Sequence, residues 1–203
     1  ACPGVPPTCY IEYLQVRSND HANGEQSQHP RERAMKTAEA IVRILSESGV
    51  RHIFGLPGDT SMELYDALYQ HREIHHIMTR DERSAGFMAD AYARVSGRLG
   101  VCEGPSGGGA TYVVPGVAEA QGSSSPVLSL TTDTPVSQDG RNVLTEIDQE
   151  SLFRPISKWS HRIKSTETAA DVTRRAIRTA TSGRPGAVSI ILPEDILEAD
   201  FPG

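Results

Sequence analysis

Long apolar runs are missing from this sequence. The longest candidate, Ala187-Val188-Ser189-Ile190-Ile191-Leu192, falls far short of the ~20 apolar residues that a helix needs to cross a bilayer. Basic blocks are missing too: acids and bases alternate along the chain, the net charge is −6, and nothing offers a phosphate backbone a continuous positive surface. That argues against a nucleic-acid partner. No Gly-rich segment is followed by the Lys-Ser or Lys-Thr of a nucleotide phosphate loop, and none has the GxGxxG spacing of a dinucleotide fold. Cysteine is scarce. Cys2, Cys9 and Cys102 are an odd number, so they cannot all pair within one chain, and Cys102, inside an apolar run, reads as a buried free thiol in a reduced, cytoplasmic setting. Cys2 and Cys9 bracket a Pro-rich hexapeptide, make a poor metal site without further donors, and receive no role.

What is present suffices for one core. With 203 residues, 37% of them hydrophobic, the chain reads as a single domain carrying a tail. Residues 1–34 mix Pro, Ser, Asn, His and Gln without a lasting period and read as a disordered tail or leader. Met35, directly before the first periodic segment, is the candidate natural start. Residues 35–200 read as the domain and 201–203 as the start of a linker.

Within that domain, strand and helix patterns alternate. Ala38, Ile41, Val42 and Leu45 form one helical stripe, with Thr37 as candidate N-cap and Gly49 beyond the end. Val50 to Phe54 is a short strand, and Thr60-Ser61-Met62-Glu63 opens the next helix as a capping box. Ile74, Ile77 and Met78 mark a second strand, and a helix with Ala85, Met88, Ala89 and Tyr92 on one side runs to Gly97. Leu99 to Cys102 and Pro126 to Leu130 are further strands, the latter ending in the polar turn cluster Thr131 to Pro135. A helix carrying Val113, Val114, Val117 and Ala118 lies between them. An irregular stretch reaches Leu152, a helix starts near Thr168, and Ala187 to Pro193 is a buried strand. Alternation of this kind predicts an α/β domain: a three-layer, doubly wound parallel sheet with helices on both faces.

Four places invite chemistry. Glu82 stands where the second strand turns into its helix, and in open α/β sheets ligands gather at the carboxyl ends of strands. The bland alternative is an ordinary first-turn acid, favoured by the helix dipole by ~0.3–1 kcal/mol. Gly55-Leu56-Pro57-Gly58-Asp59 and Glu103-Gly104-Pro105-Ser106-Gly107-Gly108-Gly109-Ala110-Thr111 are two glycine-rich loops leading into helices, able to let backbone approach a flat ring or an anion, or simply to make tight turns. His71, His75 and His76 invite a metal, but adjacent strand residues face opposite sides and the three do not converge.

The identities around Glu82 resemble a known family. Glu82-Arg83-Ser84-Ala85-Gly86-Phe87-Met88-Ala89, with Tyr92-Ala93-Arg94 after it, is similar to the N-terminal, pyrimidine-binding domain of the thiamine diphosphate enzymes related to acetolactate synthase. Phe54, Gly55, Pro57 and Gly58 match that family's Phe-Gly-x-Pro-Gly loop. Gly104, Pro105, Gly109, Ala110 and Thr111 match its Gly-Pro-Gly-Ala-Thr-Asn, with Ser106-Gly107-Gly108 read as inserted and Tyr112 in place of Asn. Glu146, Asp148, Arg154, Pro155 and Lys158 match a later segment in which Thr145 replaces a glutamine that approaches the active site. Ser182 to Gly186 and Leu192 to Asp195 match the end of the domain.

The resemblance implies that Gly55, Pro57, Gly58, Gly104, Pro105, Gly109 and Thr111 border thiamine diphosphate, and that Glu82 hydrogen-bonds N1′ of its aminopyrimidine. The imino tautomer so promoted takes the proton from C2 of the thiazolium. It implies a 2-oxo acid substrate, carboligation or decarboxylation, and a homodimer or larger assembly in the complete enzyme. The family's metal motif, Gly-Asp-Gly followed by Asn, is absent from these residues, so Mg2+ and the diphosphate grip are expected from another domain or a separate subunit, as is the FAD that some relatives carry. The competing expectation is a non-catalytic doubly wound binding module or an inactive fragment.

Overall fold

The computed structural model describes residues 34–202. The expected tail, apart from Ala34, lies outside the described residues, as do Cys2 and Cys9. The elements in order are α1 (Thr37–Glu47), β1 (His52–Gly55), a 3-10 turn (Asp59–Ser61), α2 (Met62–Gln70), β2 (His75–Met78), α3 (Glu82–Ser96), β3 (Gly100–Gly104), α4 (Gly108–Gly122) and β4 (Val127–Asp133). After the 3-10 turn Val136–Gln138 come α5 (Gln149–Phe153), the 3-10 turn Arg154–Ile156, β5 (Trp159–Arg162), α6 (Thr166–Thr181), β6 (Ala187–Pro193) and α7 (Glu194–Glu198). The six strands form one sheet in the order β2-β1-β3-β4-β6-β5. Every pairing within it is parallel. The expected α/β class is therefore the observed one.

Strand alternation sorts the core into two layers. Ile53, Val101, Leu128, Leu130, Val188, Ile190 and Leu192 meet the apolar stripes of α1, α2, α6 and α7 on one face. Phe54, Cys102, Val127 and Ala187 meet alanines and valines of α3 and α4 on the other. Cys102 is a fully buried free thiol, pushed up to about 12 by that burial, so it stays unreactive. No helix among the described residues is long and apolar enough to cross a membrane.

The structure differs from the sequence reading in particular places. Thr37 is the first helical residue rather than the cap; Lys36 takes the cap position, and the buried Thr37 hydroxyl donates to the Ala199 carbonyl. The Ser61 hydroxyl accepts from the Gly58 N–H, the Thr60 hydroxyl meets that of Thr132 and accepts from the Ser106 N–H, and Ser61 rather than Thr60 takes the cap position of α2. Thr131, Thr132 and Asp133 are not a turn: they extend β4, buried, with Thr131 paired to both β3 and β6 and Thr132 and Asp133 continuing the ladder with β6. Ser106 and Gly107 form the turn from β3 into α4, which Gly108 opens. Three elements have no counterpart in the reading: the short helices α5 and α7 and the edge strand β5.

Candidate cofactor site

The order of the sheet places the site. The chain leaves β1 toward β2 on one side and returns to β3 on the other, which opens a crevice beyond the carboxyl ends of β1 and β3. The two glycine-rich loops follow those two strands. They meet on Pro105: a Cβ added to Gly58 would lie 2.5 Å from its Cβ, and one added to Gly109 2.5 Å from its Cδ. Glycine is required at both positions for the loops to close on that ring.

Glu82 joins this group from α3. Asp81 caps the helix through the Arg83 N–H at 2.8 Å, and the hydrogen bonds from Arg83 hold the Asp81 carboxyl down at about 2. Glu82, the next residue, is only 9% exposed. Its Oε1 lies 3.2 Å from where a Gly109 Cβ would stand, and none of the described residues hydrogen-bonds its carboxylate. A buried acceptor with unused capacity beside bare backbone is a fitting edge for a planar, hydrogen-bonding ring. Close helix packing fixes it there. A Cβ on Gly116 of α4 would sit 2.6 Å from the Cα of Gly86 in α3, so the two helices touch backbone to backbone and hold Glu82 against Gly109.

The remaining predicted residues divide. Pro57 is half-buried on the β1 loop. Gly104 is buried against α4, where a Cβ would come 3.1 Å from the Gly109 carbonyl oxygen. Thr111 is exposed on the first turn of α4, its hydroxyl donating to the Gly108 carbonyl at 2.7 Å. Gly55 has a different occupant: a Cβ there would lie 2.5 Å from Glu103 Oε2 and 2.9 Å from the Tyr65 hydroxyl. Lys158 caps the end of α6 by donating to the Thr179 and Ser182 carbonyls, away from the crevice.

Thr145, by contrast, comes into the site. Its hydroxyl is 2.7 Å from that of Ser106, and its left-handed backbone, φ +69°, is rare for a β-branched residue. With Gly58, Asp59, Thr60, Pro105 and Ser106 it lines an open cleft of about 490 Å³. The sequence reading assigned nothing to Glu103, which is wholly buried on β3 and, by desolvation first of all, pushed up to about 8. Its one signal was an acid between an apolar strand and a glycine loop.

Residues 35–152 match the family described as "Thiamine pyrophosphate enzyme, N-terminal TPP binding domain". The chain belongs to this family. It is 45% identical over 167 residues to the probable acetolactate synthase large subunit of Methanocaldococcus jannaschii, an alignment covering 82% of this chain and 28% of that protein. It is 38% identical over 164 residues to the acetolactate synthase isozyme 1 large subunit of Escherichia coli, covering 81% and 29%. A third relative, the acetolactate synthase of Mycobacterium bovis, is 38% identical over 161 residues, covering 79% and 26%. The chain thus spans less than a third of the length of these curated relatives, and what it shares with them is the N-terminal thiamine pyrophosphate domain.

Proposed function

We propose that this domain supplies the aminopyrimidine-binding half of a thiamine diphosphate site in an acetolactate-synthase-like enzyme, with Glu82 as the carboxyl group that exchanges a proton with ring nitrogen N1′. The observation that carries this reading is Glu82 itself: nearly buried, without a hydrogen-bond partner among the described residues, and facing bare backbone at Gly109. Bound cofactor supplies a thiazolium carbon that adds to the carbonyl of a 2-oxo acid, for carboligation or decarboxylation. Glu82 holds or releases the proton at N1′, its low exposure strengthening that hydrogen bond. Pro105, seated between Gly58 and Gly109, fixes the backbone against which the ring lies, and Pro57 and Thr111 border the same crevice. Thr145 and Ser106 line the cleft through which an acceptor substrate is selected.

Among the described residues no group of three or more His, Cys, Asp or Glu side chains is placed to hold a metal. The diphosphate and its Mg2+ are therefore assigned to a further domain or a separate subunit, as is any FAD. Phe87 and Tyr112, 47% and 51% exposed on adjoining helices, support an assembly face for a second copy or such a subunit. The test is exchange of the C2 proton in the enzyme completed with its diphosphate-binding part: Glu82→Gln abolishes it, and unchanged exchange refutes the role. A chain that dimerises but never binds thiamine diphosphate would instead be an interaction module.

A further inference from the structure

Glu103 is an acid that the chemistry above does not use. It projects from β3 toward α2, wholly buried. The Tyr65 hydroxyl is 2.6 Å from its Oε2 and 2.9 Å from Nε2 of His76 on the edge strand. Oε1 has no partner in bonding geometry, although the Ser61 hydroxyl and the Leu56 N–H lie near enough to favour the charged form. The titratable groups around it are Tyr65 on α2, His76 on β2, Glu82 on α3 and Cys102 beside it on β3. None of these is a lysine or arginine. A fully buried carboxyl without a cation does not stay ionised at neutral pH.

We propose that Glu103 is a positioning residue for the Glu82 site: it stands beneath the crevice as an uncharged acid, so that it places no charge of its own beneath Glu82, and exchanges its proton with the sheet edge through Tyr65 and His76. The heavy-atom positions serve both protonation states. With Glu103 charged, Tyr65 donates to it and His76 Nε2–H donates to Tyr65. With the proton on Glu103, both bonds reverse and Tyr65 donates to the bare Nε2 of neutral His76. Burial holds His76 down at about 4, so it is neutral in the physiological range. No bond joins Glu103 to Glu82; their coupling is through the field, since the charge of Glu82 adds to the upward push on Glu103. Coupling is reciprocal: an ionised Glu103 would tighten the proton on Glu82, which must both give and take one.

The proposal rests on the reading of Glu82 as the cofactor's partner, and its first test is independent of the cofactor. Infrared titration of the 203-residue chain, with bands assigned by Glu103→Gln, follows the carbonyl stretch of the protonated acid. The expected band survives neutral pH, fades near about 8, and fades at least half a unit earlier in Glu82→Gln. A band gone before neutral pH, or a midpoint indifferent to Glu82→Gln, overturns the coupling. In the completed enzyme, Glu103→Gln is expected to flatten the alkaline limb of the C2-exchange pH profile while Glu82→Gln abolishes exchange at every pH. An alkaline limb untouched by Glu103→Gln overturns the positioning role. Exchange that persists in Glu82→Gln overturns the cofactor reading instead, and leaves the infrared coupling to stand or fall separately.

Discussion

The Tyr65 hydroxyl meets Oε2 of Glu103 at 2.6 Å beneath Gly55, so a phenol from helix α2 secures a carboxyl group on an inner strand of the sheet. The bond explains what one glycine of the first loop does, and it gives the fold a pH dependence of definite sign.

Glu103 is raised above the ordinary carboxyl value to about 8. Between those two values the folded chain holds a proton that the unfolded chain has released, so stability is fully present below the unfolded value and falls as pH rises toward 8. At ~1.4 kcal/mol per unit the loss is on the order of several kcal/mol. Glu103→Gln removes the slope: urea midpoints should match wild type in mild acid and exceed it increasingly up to about pH 8. Parallel profiles for the two proteins would contradict this. His76 acts in the other direction. Lowered to about 4, it adds stability above its unfolded value that is lost as pH falls through 4, so acid unfolding should begin later in a His76→Gln variant.

Gly55→Ala places a methyl group 2.5 Å from Glu103 Oε2 and 2.9 Å from the Tyr65 hydroxyl. Neither neighbour is free to withdraw, since each is buried. The expected cost is ~1–3 kcal/mol, the range for overpacking a filled core. In a Glu103→Ala background the space is open, and most of that cost should vanish in a double-mutant cycle read by thermal unfolding. Additive losses would place the clash elsewhere.

How much of this was legible in the sequence depends on which signal each residue carried. The helix from Glu82 was readable at both ends, since an acid follows Asp81 and Gly97 supplies the left-handed cap, φ +67°. The strand Ala187–Pro193 was readable because its apolar run is nearly unbroken. Edge strand β5 was not: Trp-Ser-His-Arg is mostly polar, and its pairing with β6 is visible only once β6 has been placed between it and β4. Thr131 to Asp133 misled for a related reason, because hydroxyl and carboxyl groups that usually mark a turn here sit inside a central strand. The loops of the site were legible as glycine-rich; their meeting on Pro105, and the occupation of Gly55 by Glu103, depend on the order of strands β1 and β3.

Gly116→Ala tests the helix contact that sets the site. Its Cβ would lie 2.6 Å from the Cα of Gly86 and equally close to the Phe87 nitrogen, and backbone cannot rotate away as a side chain can. The helices must separate, drawing Glu82 from Gly109. We expect a loss of several degrees in Tm, consistent with ~1–3 kcal/mol. Because the displacement reaches the site, weaker thiamine diphosphate binding by the completed enzyme should accompany it. Ala91→Gly, on the exposed side of α3, should cost ~1 kcal/mol of helix propensity and leave binding intact.

The last prediction concerns the buried ion pair at the far side of the sheet. Arg162 of β5 reaches Asp133 at the end of β4 at 2.6 Å, and their side chains are 13% and 4% exposed. It also donates to Asp139 at 2.7 Å and to the Thr134 carbonyl at 3.1 Å. Burial, ahead of every other influence, raises the Asp133 carboxyl, and Arg162 works against that rise. Arg162→Met leaves the aspartate buried without its cation, a loss of ~3–5 kcal/mol. Asp133→Asn in the same chain removes the stranded charge, so the double variant should be more stable than Arg162→Met alone. The two also differ in pH dependence. Asp133 in Arg162→Met escapes its penalty by taking up a proton, so that variant's deficit should shrink on acidification, whereas the double variant, with only the half-exposed Asp139 left there, should keep a much flatter one. Equal pH profiles in urea unfolding would mean that Asp133 finds another partner when Arg162 is gone.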